Sequence, residues 1–172
     1  LGANADVKLL ENVDTANGNI SRPNFFSVVA EDGSGSLTAT QINNISTEVD
    51  KVRAFSVGFA VSAPTVLYIT NEVCVIYDEA LTNLKEEADA AIIAVCTDYI
   101  NTRKIGETVY YSEMIYRIMR LSASYPIIKA VKKVDINGEV DTDFIVSQPI
   151  QVVRLSGTVL LTSIITRFPG AV

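Results

Sequence analysis

The sequence contains no histidine. Histidine is the usual general base at neutral pH and a frequent ligand of transition metals. Its absence therefore excludes Ser-His-Asp and Cys-His catalytic arrangements and most such metal sites. An enzyme with this sequence would have to work with carboxylates, lysines, tyrosines or a bound metal. No stretch brings an acid, a base and a nucleophile together, and we expect a protein that is not an enzyme.

The sequence also lacks a long apolar run, although 48% of its 172 residues are hydrophobic. A membrane-spanning helix needs about 18 or more consecutive apolar residues. The most apolar segment, residues 150–166, is interrupted by Arg154, Ser156 and Gly157 and is rich in β-branched residues. This pattern predicts buried strands and no membrane insertion. The high apolar content further indicates that partner subunits cover part of the surface.

Basic residues are fewer than acidic residues in this chain. There are 14 Lys and Arg against 20 Asp and Glu, which gives a net charge of −6. Proteins that bind nucleic acid concentrate positive charge against the phosphates. The densest basic group here is Lys129, Lys132 and Lys133 on one predicted strand, and a solvated strand face explains it. We expect no direct nucleic-acid binding.

Cysteine is scarce, with only Cys74 and Cys96 in the chain. Both lie within apolar patterns, which is typical of buried side chains. Two such residues do not make the disulfide framework of a small secreted protein. We interpret them as reduced thiols of a cytosolic product.

The first part of the chain predicts a polar arm followed by a small α/β unit. Residues 1–24 are polar and rich in turn-forming residues, so we expect an N-terminal arm or linker there. Residues 25–78 form the first unit. Within it, Thr38 followed by Gln41 is a capping-box pattern that predicts the start of a helix. The predicted elements are strands at 25–30, 56–62 and 66–77 and a helix at 38–53.

Residues 79–172 predict a second α/β unit. Thr82 is the predicted N-cap of a long amphipathic helix that Gly106 ends, and Ser112 is the predicted cap of a shorter helix. Asn137-Gly138 is a strong signal for a hairpin between strands. The two units together predict an α+β fold, with mixed or mainly antiparallel sheets covered by amphipathic helices. The predicted strands of the second unit lie at 127–136, 144–155 and 158–167.

One loop could present backbone N–H groups to a ligand. Residues 32–36, Asp-Gly-Ser-Gly-Ser, precede the first predicted helix, and such a position can bind an anion. The loop lacks the lysine of a phosphate-binding P-loop, and its glycine spacing matches neither nucleotide-binding motif. A solvent-exposed turn is the simpler explanation.

Residues 135–143 carry carboxylate or amide side chains at alternate positions, as in a calcium loop. Their glycine is at the fourth position, whereas an EF-hand needs it at the sixth and a bidentate Glu at the twelfth. We therefore interpret this stretch as a solvent-facing hairpin and expect no metal and no cofactor.

Tyrosine is concentrated between residues 110 and 125. Core packing is the first interpretation of this group, and an aromatic-rich protein interface is the alternative. The tyrosines concerned are Tyr110, Tyr111, Tyr116 and Tyr125.

Three strings follow one another between residues 99 and 115. They are Tyr99-Ile100-Asn101, then Ile105-Gly106-Glu107-Thr108-Val109-Tyr110, then Ser112-Glu113-Met114-Ile115. Their order resembles the C-terminal part of the baseplate J family of phage-tail proteins. In that family a helix ending in Tyr-Ile/Leu-Asn is followed by an Ile-Gly link and a second helix. The segments at 57–64, 134–138 and 152–159 resemble other strands of the family, so that the resemblance extends over residues 25–165.

The resemblance implies a structural subunit of a contractile tail or of a phage-like injection machine. Proteins of this family sit in baseplate wedges, pair with a second copy and connect neighbouring wedges into a ring around the central hub. The expected partners are therefore other wedge and hub proteins and a second copy of this chain. The expected location is the virion tail baseplate, which is assembled in the cytoplasm of the host bacterium. The family has no catalytic residues to transfer.

The sequence departs from the family in three respects. The chain is shorter than usual members, Ser156 is inserted before Gly157, and residues 1–24 are polar, so we expect a fragment or a reduced version of the family's chain. The alternative function is a free-standing ligand-binding or regulatory α+β module that uses the loop at 32–36. The link around Gly106 is interpreted as a rigid corner between the two helices.

Overall fold

The computed structural model describes residues 5–168. Within them the chain forms three α-helices and mixed sheets, which confirms the α+β class predicted from the sequence. Packing divides the chain into two compact units, whereas the predicted division after residues 24 and 78 stays a prediction. Within the described residues, the first unit contains 5–67, Lys104–Glu107 and Val146–Val152, and the second contains Tyr68–Arg103, Thr108–Ile145 and 153–168.

The first unit contains a three-stranded sheet in the order β1-β2-β3. Strand β1 (Asp6–Asp14) runs antiparallel to β2 (Ile20–Glu31), and β2 runs parallel to β3 (Gly58–Ser62). The arm expected at residues 1–24 is, in its described part, a paired strand and a turn. The sequence analysis did not predict strand β1.

Polar residues in the turn after β1 have a structural role. The buried Asp14 carboxylate accepts hydrogen bonds from the Ala16 backbone N–H and from the side chains of Asn17 and Arg22. A buried carboxylate is stable only when such donors replace its water. The polar composition of this stretch therefore supports a hairpin.

Helix α1 (Ala39–Val52) connects β2 to β3 and has the capping box that the sequence predicts. Thr38 Oγ1 accepts a hydrogen bond from the Gln41 backbone N–H at 3.2 Å, and the Thr38 N–H donates to Gln41 Oε1 at 2.7 Å. The predicted helix at 38–53 is thus confirmed. All 14 residues of α1 are described, and none of them is fully buried.

The core of the first unit is centred on Val29, Ile105 and Val152. The last two come from distant parts of the chain, the link at residues 104–107 and strand β8 (Gln151–Leu155), which pairs with β4 (Thr65–Ile69). The partly buried residues that complete this core are Leu10, Val66 and Ile150.

The second unit contains a four-stranded sheet in the order β7-β6-β5-β9. Central strand β5 (Asn71–Asp78) runs antiparallel to β6 (Ile128–Ile136) and parallel to β9 (Leu160–Thr166). Strand β7 (Glu139–Val140) pairs with β6 across the predicted hairpin. Asn137 and Gly138 both have positive φ, +56° and +86°, as a tight hairpin turn requires.

Two predicted strands are shorter than expected. The strand predicted at 66–77 is two strands, β4 and β5, separated at Thr70. The Thr70 N–H donates to Asn137 Oδ1, a side-chain oxygen, instead of to a backbone carbonyl of a neighbouring strand. The strand predicted at 144–155 is regular only in β8, which begins after Pro149. Proline lacks the N–H that a strand ladder needs, which explains the late start.

The helices α2 (Lys85–Asn101) and α3 (Tyr111–Arg120) belong to the second unit. Their buried side chains recur at helical spacing, and Val73, Val75 and Tyr77 of β5 are buried in the same unit. An alternation of buried and half-buried residues along β5 indicates one covered sheet face. The buried helix residues are Ala88, Ile92, Cys96, Tyr99, Ile100, Met114 and Ile118.

Both caps predicted for these helices are wrong. Thr82 lies in a 3₁₀ turn (Glu79–Leu84), and the Asp78 side chain accepts a hydrogen bond from the Ala80 N–H at its start. Ser112 lies inside α3, and the Tyr111 N–H donates to Asp143 Oδ1 at 3.0 Å. The second cap comes from a residue far along the chain, which a local pattern does not reveal.

Candidate functional site

Side chains of the loop at residues 32–36 form hydrogen bonds within the loop itself. The Asp32 carboxylate accepts hydrogen bonds from the Ser34 backbone N–H at 2.9 Å and from the Ser34 hydroxyl at 2.6 Å. These bonds from Ser34 lower the pKa of Asp32, so the group is ionised at neutral pH. The Asp32 carboxylate therefore already accepts hydrogen bonds from the Ser34 donors that a bound anion would need, and its negative charge repels an anion.

Gly35 of this loop is required by packing and by backbone conformation. Its φ is +87°, and a Cβ atom at this position would lie 2.7 Å from Val66 Cγ2. Other residues rarely adopt this φ and would collide with the strand beneath. The glycine is thus explained without a ligand.

Three aspartates of residues 135–143 accept hydrogen bonds from backbone N–H groups at turns and at a helix start. Asp135 accepts a hydrogen bond from the Gly138 N–H at 2.7 Å, and Asp141 accepts one from the Val134 N–H at 3.0 Å. The third aspartate, Asp143, serves the N-terminus of α3. Among residues 5–168 no group of three or more His, Cys, Asp or Glu side chains is arranged to hold a metal ion.

The most deeply buried ionisable groups of the second unit keep their protons at neutral pH. Burial raises the pKa of the Cys96 thiol to about 12, which makes it a poor nucleophile. Burial, with the nearby Asp89 carboxylate, also raises the pKa of Tyr77. The Tyr77 hydroxyl donates to Asp89 at 2.6 Å, and Lys85 forms an ion pair with the same carboxylate. This group stabilises the start of α2.

Two of the three lysines of β6 form ion pairs with carboxylates on the same sheet. Lys129 lies 3.2 Å from Asp78, and Lys133 lies 3.1 Å from Glu72 and 3.7 Å from Asp135. The pairs with Asp78 and Glu72 join neighbouring strands and offset the charge of Lys129 and Lys133, while Lys132 is exposed.

The first unit exposes large apolar side chains. Strand β1 alternates so that Lys8 and Leu10 face inward, while Val7 and Leu9 are 52% and 64% exposed. Leu9, Phe25 and Phe26 line an open cleft of about 330 Å³. After α1, Phe55 is fully exposed. An apolar surface of this kind is typical of a protein–protein interface.

The second unit has an arginine and tyrosine surface formed by the end of α2, the residues directly after it, and α3. The buried Tyr99 ring lies between two guanidinium groups, with Arg103 at 4.4 Å and Arg117 at 4.8 Å from its centroid. Tyr116 is 56% exposed, and the Arg120 guanidinium lies 5.8 Å from its ring centroid. Tyr and Arg are the residues most enriched at the energetic centres of interfaces.

Sequence analysis singled out Tyr116 of this surface, but not Tyr99 or the arginines, as part of a candidate interface. Arg103 reaches Tyr99 from four residues further along the chain, whereas Arg117 reaches the same ring only when α2 and α3 pack. The four-residue spacing of Tyr99 with Arg103 and of Tyr116 with Arg120 is the local signal that could have indicated these contacts.

None of the helices within residues 5–168 has the length and apolarity needed to cross a bilayer.

Comparison with known proteins finds similarity of fold to solved structures and no similarity of sequence to a family model or a curated protein. The fold is similar to that of a chain in a solved structure described as the cryo-EM structure of the anti-feeding prophage (AFP) baseplate, 6-fold symmetrised. The TM-score is 0.56 at 10% sequence identity, and the alignment covers 87% of this chain and 33% of that chain. This chain thus spans about a third of the length of its neighbour, and its fold is similar to that part of a baseplate protein.

Proposed function

We propose that this protein is a structural subunit of a bacteriophage or phage-like tail baseplate, which acts through protein–protein contacts and is not an enzyme. The observation that carries the proposal is the similarity of fold to a chain of the AFP baseplate over 87% of the present chain. The order of the strings at 99–115, which resembles the baseplate J family, supports the same assignment independently of the fold.

The more specific form of the proposal is a wedge component of the baseplate J type. In this form the protein contacts other wedge and hub proteins, pairs with a second copy and helps to link wedges into a ring around the hub. Its location is the tail baseplate, after assembly in the cytoplasm of the host bacterium. The exposed apolar side chains of β1 and Phe55 supply surface that such an assembly would bury.

Electron microscopy of tails that carry a labelled copy of the chain tests the proposal. We expect label at the baseplate of every tail, at positions related by the symmetry of the assembly. Label elsewhere on the tail, or tails without label from cells that make the labelled protein, would contradict it.

The alternative, a ligand-binding module at residues 32–36, has weaker physical support. Asp32 is ionised and bonded to Ser34 within the loop, and Gly35 is explained by contact with Val66. An anion would have to displace the carboxylate from its donors.

A further inference from the structure

We infer that the groove between α2 and α3 binds an acidic segment of a partner protein, one that carries carboxylates beside a large apolar side chain. This inference deepens the proposed function and rests on it, since the partner would be another baseplate subunit. The groove has a volume of about 320 Å³ and is lined by Val95, Glu113, Tyr116, Arg117, Arg120 and Leu121.

The charges of the groove favour a carboxylate ligand. Glu113 and Arg117 form an ion pair at 2.8 Å and neutralise each other. Arg120 has no carboxylate within ion-pair distance among the described residues. The groove therefore keeps a net positive charge on a chain whose overall charge is −6. Complementary charge is the feature that selects a partner and its register at an interface.

The positive groups are held in place before any ligand arrives. The Arg117 guanidinium lies over the Tyr99 ring and is bonded to Glu113, and the Arg120 guanidinium lies over the ring of Tyr116. A guanidinium that is already ordered loses less side-chain entropy when it binds a carboxylate in its bidentate geometry.

The groove also has an apolar part. Val95 and Leu121 line it beside the half-exposed ring of Tyr116. An apolar side chain next to the carboxylates of the partner would contact these three residues, and an exposed Tyr beside an Arg is the composition of an interface centre. A protein segment supplies both chemical groups together.

The test measures binding of a fluorescein-labelled, glutamate-rich peptide with a central leucine, by fluorescence anisotropy on the full chain. We expect Arg120→Ala to weaken binding about tenfold, the usual effect of removing one charge-assisted hydrogen-bonding partner. Lys132→Ala is the matched control, since it removes one exposed positive charge from the same unit, and it should leave the affinity within about twofold of the wild-type value. Circular dichroism spectra and melting curves establish that both variants are folded.

Several results would overturn the inference. They are absence of peptide binding to the wild-type chain, equal weakening by the two variants, and tighter binding of a single-stranded oligonucleotide than of the peptide. A change of sedimentation coefficient in Arg120→Ala without a change in peptide binding would assign the groove to a second copy of the chain. Chemical-shift changes on peptide addition should centre on Val95, Tyr116 and Leu121.

Failure of the inference and failure of the proposed function give different results. If the peptide does not bind but labelled chain is found in baseplates, the groove assignment alone is wrong. If label is absent from baseplates while the peptide binds through Arg120, the groove binds an acidic segment but the partner is not a baseplate subunit.

Discussion

The backbone N–H of Gly106 donates a hydrogen bond to the carbonyl oxygen of Gln151 at 2.7 Å. The preceding residue is bonded twice: the Ile105 N–H donates to Asp6 Oδ2 at 2.9 Å, and Lys8 Nζ donates to the Ile105 carbonyl at 3.3 Å. The short link between two helices is therefore held to strands β1 and β8 in the first unit. Gly106 has a φ of +80°, which favours glycine, and a Cβ atom there would displace Lys8 Nζ from its bond to the Ile105 carbonyl.

Substitution of Gly106 should destabilise the protein for two separable reasons. Gly106→Ala places a Cβ atom at positive φ, which costs about 1–2 kcal/mol, and adds overlap with Lys8 Nζ. Gly18→Ala is the matched control, because Gly18 has the same φ of +80° and open space around it. Urea unfolding should show a larger loss for Gly106→Ala than for Gly18→Ala.

Gly106→Val should be more destabilising still and should reduce assembly into baseplates together with folding. A Gly106→Val variant that unfolds like the wild type and enters baseplates normally would show that the link tolerates side chains.

The buried carboxylate of Asp14 should contribute to stability in a pH-dependent way. Hydrogen bonds from Asn17 and from Arg22 lower the pKa of Asp14 in the folded chain, against the opposing effect of burial. A lowered folded pKa means that the stabilisation is complete above the unfolded value of about 3.9 and is lost as the pH falls through the lower folded value.

Asp14→Asn should therefore be less stable than the wild type at neutral pH and should lose less stability on acidification. Melting temperatures at pH values from about 6 to about 3 measure the difference between the two curves across the titration range. Asp98→Asn, at an exposed position of α2, is the control. Parallel curves for wild type and Asp14→Asn would contradict the assigned role.

The capping box of α1 should contribute measurably to stability. Thr38→Ala removes the acceptor of the Gln41 N–H and should lower the free energy of unfolding by about 1 kcal/mol. Thr40→Ala is the control, since Thr40 is exposed inside the helix and alanine has the higher helix propensity. A loss in the Thr40 variant as large as in the Thr38 variant would mean that the cap is not the cause.

Phe55 should matter for assembly and not for folding. Its side chain is fully exposed, so Phe55→Ser should change the free energy of unfolding by less than about 0.5 kcal/mol. The same change should reduce the amount of chain recovered in assembled baseplates, because an interface would lose its apolar contact. Phe25→Ser, at a buried position, should reduce folding first. Normal incorporation of the Phe55 variant would remove this residue from the interface.

The loop at residues 32–36 should not bind phosphates. Phosphate and ATP should leave the melting temperature unchanged, because Asp32 already holds the Ser34 donors and repels an anion. A melting temperature that rises with ATP in the wild type, and rises further in Asp32→Ala, would support the ligand-binding alternative.

Local signals were the ones that predicted structure correctly. The capping box of Thr38 and Gln41 and the turn at Asn137-Gly138 are each made by residues close together in the chain. Their hydrogen bonds or backbone conformations depend little on the rest of the molecule. Predictions failed where a group is satisfied from a distance, as at Tyr111, whose N–H is bonded to Asp143.

The candidate surfaces also combine features that are visible in the local sequence with contacts between residues far apart in the chain. The tyrosines between 110 and 125 are visible as a composition, but the two arginines on the Tyr99 ring come from the link after α2 and from α3. Strand β1 was missed because its polar residues suggested an arm, whereas the inward side chains Lys8 and Leu10 and the buried Asp14 make it part of a sheet.

The sequence by itself determined the α+β class, the helix at 38–53, the hairpin turn at Asn137-Gly138 and the absence of histidine chemistry. Each of these depends on residue types and on short-range spacing. Only the tertiary structure decided that the Gly106 link is bonded to β1 and β8, that the carboxylates at 135–143 serve turns, and that Arg120 has no carboxylate partner among the described residues. Most of these facts depend on contacts between residues far apart in the chain. Packing brings such residues together, and no short-range sequence pattern predicts those contacts.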